Sequence, residues 1–178
     1  MARDDGHRVV RSGALATGAA VQVRTRFDGC WASGFDVAEV VATNEAEPLY
    51  RMALATDRDV RGPNHPATAA DTADLGANLA AQRRYADAEP LLRRALAIRR
   101  KALGDRHFDT GVTYGALGRV LAARGKARDA EKLHRKALAI VTAARGERNP
   151  AAADAYAGLG ADLSARGRYA EAEKPLGK

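Results

Sequence analysis

What most constrains this chain is that it repeats itself every 42 residues. The segment AEPLYRMALATDR begins at Ala46, AEPLLRRALAIRR at Ala88, AEKLHRKALAIVT at Ala130, and a fourth copy, AEKPLGK, at Ala172. The half that precedes each copy keeps the same register: LGANLAAQRRYADAE from Leu75, LGRVLAARGKARDAE from Leu117 and LGADLSARGRYAEAE from Leu159. A period of this length marks a stacked array, in which a unit buries its apolar face only against its neighbours.

Each unit reads as two helices. Leu75, Gly76, Leu79 and Ala80 fall on one face of a first helix, and Ala88, Leu92, Ala95 and Leu96 on one face of a second. Between them lies the turn Arg83-Arg84-Tyr85, with counterparts Arg124-Gly125-Lys126 and Arg166-Gly167-Arg168, where Gly suits a helix end. Pro48 and Pro90 sit close to the expected start of the second helix, where a missing N–H costs least. The units are joined by Gly62-Pro63-Asn64-His65-Pro66, Gly104-Asp105-Arg106-His107-Phe108 and Gly146-Glu147-Arg148-Asn149-Pro150. Asn149 followed by Pro150 reads as an N-cap and first helical residue, and His65 and His107 hold the same place.

Composition agrees with helix-on-helix packing. The chain is 46% hydrophobic with only 5% aromatic residues, and Ala dominates, which suits close helices better than β-sandwiches. A single cysteine, Cys30, excludes an internal disulfide framework and has no partner His in a nucleophile motif. No apolar run approaches a membrane span, and Asp4 and Asp5 make a poor secretory signal, so the expected location is cytoplasmic. The net charge of +7 falls entirely within residues 45–178, where bases interleave with acids as on solvated helix faces.

Leu-Gly, an apolar residue three further on, then Ala and a large residue four beyond it resembles the tetratricopeptide repeat. The 42-residue period, the AEPLLRRALAI string and the Gly-x-x-His-Pro connector resemble the longer variant of kinesin light chains. The resemblance covers roughly residues 44–178 and implies an all-α solenoid of antiparallel helix pairs. Its units span 66–102, 108–144 and a truncated 150–178, preceded by a second helix at 45–61. It also implies close helix contacts at Gly76, Gly118 and Gly160, and at Ala46, Ala88, Ala130 and Ala172.

In such arrays the first helices line a concave groove that binds peptides or helices. By position that groove takes Ala70, Ala73, Asp74, Ala77 and Ala81, then Val112, Ala116, Arg119 and Ala123, then Asp154, Ala157, Ala161 and Ser164. Of these, Asp74, Ala77, Val112, Arg119, Asp154 and Ser164 are the candidate partner-binding residues. The carboxylate clamp of chaperone-type arrays is absent, because its positions are Ala73, Ala77, Ala116, Asp154 and Gly158. The Asn-Asn pair of kinesin light chains is likewise replaced by Ala73-Asp74, Gly115-Ala116 and Ala157-Gly158. A groove so small-sided suits an inserted helix or a large apolar side chain.

Both ends depart from the grid. Residues 1–43 read as a tail followed by a short β-hairpin cap or irregular segment. Val21, Val23, Thr25 and Phe27 alternate, Asp28-Gly29 is a turn dipeptide, and 34–41 would be the returning strand. Asn44 with Glu47 then resembles a capping box opening helix 45–61. At the other end Pro175 and Gly177 cut the last helix short, and Leu159, Leu163, Tyr169 and Leu176 are expected to be partly exposed. That edge implies either a piece of a longer array or self-association through it.

Catalytic patterns do not emerge. His65 and His107 lie one unit apart, roughly 16–20 Å by stacked-helix spacing, too far to share a metal ion of bond length about 2.1 Å. His134 takes the large-residue position of Leu92 and Tyr50 and reads as packing. Paired carboxylates Asp87/Glu89, Asp129/Glu131 and Glu171/Glu173 read as first-turn helix chemistry. No phosphate loop, HExxH or Gly-x-Ser-x-Gly occurs, so no cofactor, metal or enzyme activity is expected. The reading is a non-catalytic protein-interaction scaffold with a protein or peptide partner and no membrane contact. The alternatives are a nucleic-acid-binding solenoid using Arg93, Arg94, Arg99, Arg100 and Arg135, or a truncated part of a larger bacterial signalling regulator.

Overall fold

The computed structural model describes residues 37–172. They form helices α1 (Val37–Arg61), α2 (Pro66–Ala81), α3 (Tyr85–Leu103), α4 (Phe108–Ala123), α5 (Ala127–Arg145), α6 (Pro150–Ala165) and a short α7 (Tyr169–Ala172), with no strand among the described residues. The three connector side chains cap the helices they precede. Ala67 N–H donates to His65 Nδ1 at 3.1 Å, Asp109 N–H to His107 Nδ1 at 3.2 Å, and Ala152 N–H to Asn149 Oδ1 at 3.0 Å. Each satisfies a donor that the first turn leaves without an intrahelical partner.

The turns inside each unit end their first helix through a left-handed residue. That residue is Arg83, Gly125 or Gly167, with φ of 61°, 76° and 70°. Hydrogen bonds from Arg84 to Leu79, Lys126 to Leu121 and Arg168 to Leu163 close the three turns identically. The matching triplets are therefore Gln82-Arg83-Arg84, Arg124-Gly125-Lys126 and Arg166-Gly167-Arg168, which moves the first triplet one residue earlier than the sequence suggested. Arg83 alone adopts this backbone with a side chain present.

Each helix packs on the next, and in addition α2 touches α4 and α4 touches α6. The second helices α1, α3 and α5 do not touch one another. First helices that meet while second helices stand apart make a stack that curves, with α2, α4 and α6 on its inner side. Leu75, Leu79, Leu92, Leu96, Leu117 and Leu121 fill the space between layers. Ala88 and Ala130 are wholly buried at the small-residue positions. A Cβ on Gly76 would fall 3.0 Å from Leu92, and one on Gly118 would fall 2.7 Å from His134.

Three expectations are corrected. First, α1 starts at Val37, so Asn44 is not its cap, Pro48 lies inside it, and residues 37–41 are helix and not a returning strand. Val37, Val40 and Val41 stand at three and four spacing, which a helix uses better than a strand does. The rest of the proposed hairpin lies outside the described residues. Second, Leu159 and Leu163 are buried, because α5 covers that face of α6, while Tyr169 is exposed. The contact expected at Gly160 falls by register on Leu176, which lies outside the described residues.

The third correction concerns the paired carboxylates. Asp87 and Glu171 do act locally, with Arg84 and Arg168. Glu89 and Glu131 instead lie buried and bind the turn of the following unit. Glu89 is 8% exposed at its side chain and meets Arg93 at 2.8 Å, Lys126 at 3.3 Å and Arg124. Glu131 meets Arg135 at 2.8 Å, Arg168 at 3.0 Å and Arg166. Glu47 repeats the arrangement with Arg51 at 2.8 Å, Arg84 at 2.7 Å and the Gln82 amide at 3.1 Å. These charge-assisted bonds hold the Glu89 and Glu47 carboxyls below the usual carboxylate range against the cost of burial.

Replacing Glu89 by Ala leaves three cations without their shared anion at the joint between units. The expected loss is about 2–3 kcal/mol, whereas Asp87→Ala, at an exposed pair, changes stability by less than about 0.5 kcal/mol. Urea midpoints of both variants beside the parent chain check the contrast.

Candidate functional site

Along α2, Asp74 and Ala77 are three residues apart; along α4, Val112, Ala116, Arg119 and Ala123 follow one face at helical spacing; along α6, Asp154, Ala157, Ala161 and Ser164 do the same. Asp74, Ala77, Val112, Arg119, Asp154 and Ser164 are all exposed, on the three helices that form the inner side of the stack. Arg119 Nη1 stands 3.5 Å from Asp154 Oδ2 and ties α4 to α6 across this surface. Ala73 differs from expectation: it is buried in the core, one position off the exposed stripe, and lines nothing.

The α1–α2 end of the inner face is acidic. Loss of hydration pushes the Asp71 carboxyl up, and the charges of Asp57 and Asp74 and a hydrogen bond with Asp57 push it further, with Arg61 opposing. Asp74 is open to water on one side and crowded by protein on the others. That crowding raises its carboxyl, and Arg99 partly offsets it. Partial burial and the Asp74 charge likewise raise the Tyr50 phenol. Arg99 is held by Thr113 Oγ1 at 2.7 Å and the Asp109 carbonyl at 3.1 Å.

The arginines read as a nucleic-acid surface are mostly engaged elsewhere. Arg93 and Arg135 bind Glu89 and Glu131, Arg99 holds α4, and Arg100 Nε lies 3.1 Å from Asp105. Asp105 also accepts from Tyr114 at 2.6 Å and pairs with Lys136 at 2.7 Å, bonds that hold its carboxyl down and the Lys136 ammonium up. No group of three or more His, Cys, Asp or Glu among the described residues is placed to hold a metal ion. Two surface hollows lie away from the inner face, one beside Arg51, Arg58 and Leu75 and one at the turn of Lys126 and Arg128. No described helix is long and apolar enough to cross a membrane.

Two features escaped the sequence reading. Leu49, Met52 and Val60 expose apolar side chains on α1, where the next units carry Leu91, Arg94 and Ala102. His134 is buried as expected, but its Nδ1 lies 2.6 Å from Asp162 Oδ2, so it is a bonded polar group and not a plain packing residue. The 28-residue spacing of that pair also separates Leu92 from Val120, a regularity visible in the sequence once the stack is known.

The family model of the tetratricopeptide repeat matches residues 43–101, 70–143 and 109–178. No curated protein matches the chain. Among solved structures, the chain is similar to a candidate kinesin light chain from Podosopora anserina with nearly identical TPR-like repeats, at 23% identity and a TM-score of 0.67. That alignment covers 74% of this chain and 63% of the other. It is also similar to BtubC (BKLC) from P. vanneervenii, at 22% identity and a TM-score of 0.66, over 74% of this chain and 53% of that one. The chain thus spans under two thirds of the length of either structure, and the likeness at this identity is one of fold.

Asp71→Asn tests the electrostatics of the acidic end. A carboxyl raised on folding contributes stability that is present below its unfolded value of about 3.9 and lost as pH rises through the folded one. The variant is therefore expected to be more stable than the parent chain at pH 7, with the difference vanishing near pH 3. Thermal melts at several pH values read it directly.

Proposed function

The chain belongs to the tetratricopeptide repeat family, and on that premise we propose that its inner face is a docking groove through which it acts as a non-catalytic scaffold. Chains of this family are generally protein-interaction scaffolds. The observation that carries the reading is the continuity of the exposed stripe. Asp74, Ala77, Val112, Arg119, Asp154 and Ser164 are all open to solvent on three successive inner helices, α4 touching both α2 and α6.

Small residues dominate the stripe, and its one long cation, Arg119, is already turned to Asp154. A surface with few projecting donors favours a helical partner that inserts apolar side chains over an extended peptide held through its backbone. The Asp74 end would meet a polar or cationic part of such a helix. Self-association through the α6–α7 edge belongs to the same proposal, supported by the exposed Tyr169 ring; light scattering that returns a clean monomer at high concentration overturns that part.

Nucleic acid is the weaker reading, because four of its five candidate arginines are committed to carboxylates or to the α4 backbone and hydroxyl. Selection of displayed helical peptides on the parent chain, followed by titration against Arg119→Glu and Asp74→Lys, tests the groove. Both variants are expected to weaken binding by tenfold or more, about 1.4 kcal/mol, with helical content unchanged. Peptides that bind both variants at parental affinity would place the contact elsewhere.

A further inference from the structure

The joints between successive units are built from the same register positions with different chemistry. Residues 28 apart, one on a second helix and one on the next first helix, are Tyr50 and Asn78, then Leu92 and Val120, then His134 and Asp162. Only the last joint sets an imidazole against a carboxyl. We propose that His134 and Asp162 form a proton-operated latch between α5 and α6, shut while the pair is neutral overall and loosened when it carries a net charge of either sign.

The geometry makes the net charge decisive. The side chains are 1% and 2% exposed, with Nδ1 and Oδ2 2.6 Å apart. The ring is wedged between two helices at glycines: a Cβ on Gly118 of α4 would fall 2.7 Å from Nε2, and one on Gly158 of α6 would fall 2.5 Å from it. Nε2 has no hydrogen-bond partner among the described residues. Nothing as large as a water fits between the ring and those backbones, so a charge that appears here cannot be hydrated unless α6 moves away from α5.

Among the described residues no other ionisable group reaches in to compensate. From α4 the pair meets Gly118, while Arg119 and Tyr114 of that helix turn to Asp154 and Asp105. From α6 it meets Gly158, while Asp154 is exposed. On α5 itself Glu131 and Arg135 bind each other, Lys136 binds Asp105, and the turn cations Arg166 and Arg168 are held by Glu131. On α7 Glu171 pairs with Arg168. Burial raises the Asp162 carboxyl, and His134 is the one charged group that lowers it.

The two groups therefore titrate as a unit. With neutral imidazole and carboxylate, the joint buries a lone negative charge. With one proton added it is neutral, whether the proton sits on nitrogen or oxygen, and the 2.6 Å bond is retained. With a second proton it buries a lone imidazolium beside a neutral carboxyl, a net charge with no counter-charge. Because α6 carries Asp154 and Ser164, opening the latch would remove one wall of the proposed groove; this consequence rests on the proposed function, the latch itself does not.

Amide hydrogen exchange on the full chain between pH 4.5 and 9, corrected for intrinsic rates, tests it. Protection of residues 150–165 is expected to pass through a maximum and to fall about tenfold or more on each side, as a local opening of α6 requires. His134→Leu/Asp162→Val copies the preceding joint and is expected to remove the maximum. His134→Gln/Asp162→Asn keeps a hydrogen bond without titration and should do the same if the apolar pair disturbs folding. A flat or one-sided profile in the parent chain, or the same maximum in the non-titrating variant that folds, overturns the latch. Peptide binding measured in parallel separates the readings: a pH maximum in exchange without groove binding sinks the proposed function and leaves the latch standing.

Discussion

Everything in the array depends on an alanine and a glutamate set side by side on each second helix. Ala88 and Ala130 vanish into the contact with their first helices, which a larger side chain would force apart. One residue on, Glu89 and Glu131 reach across to the basic turn of the next unit. The alanine sets how close two helices of a unit lie, and the glutamate sets where the next unit begins. Either one alone would leave a helix pair without a defined neighbour.

A buried carboxylate is an expensive way to join two surfaces unless it is fully paired. Here each of Glu89 and Glu131 finds three cations, and the long stems of those cations stay half in solvent, so only one charge of the cluster is deeply buried. Direction follows from this asymmetry. An apolar joint could slide along the helix, whereas three donors converging on one carboxylate fix the register. The curvature that brings α2, α4 and α6 together is set at these joints.

Around that constant frame the remaining inter-unit positions are free to vary. Asp57, Arg99 and Val141 occupy one register, and Asp71, Thr113 and Ala155 the facing one. The result is a crowded carboxylate pair at the first joint, a hydrogen-bonded guanidinium at the second and an apolar contact at the third. The His134–Asp162 bond belongs to the same series. Function in an array of identical backbones is carried by such departures, since the repeated residues are already occupied in holding the stack.

The amino-acid sequence determined the helix pairs, their order and, from α2 onward, where each helix starts, because periodicity, caps and turn residues act within a few positions along the chain. His65, His107 and Asn149 were legible as caps for that reason. It also placed the exposed stripe from Asp74 to Ser164, since a helical face follows from spacing alone. Contacts between units were decided only by the tertiary structure. Glu89 and Arg124 are 35 residues apart and His134 and Asp162 are 28, and neither separation means anything until stacking brings one unit's second helix against the next unit's first. The start of α1 at Val37 was missed for a related reason: a short run of valines suits strand or helix, and the choice lies outside the run itself.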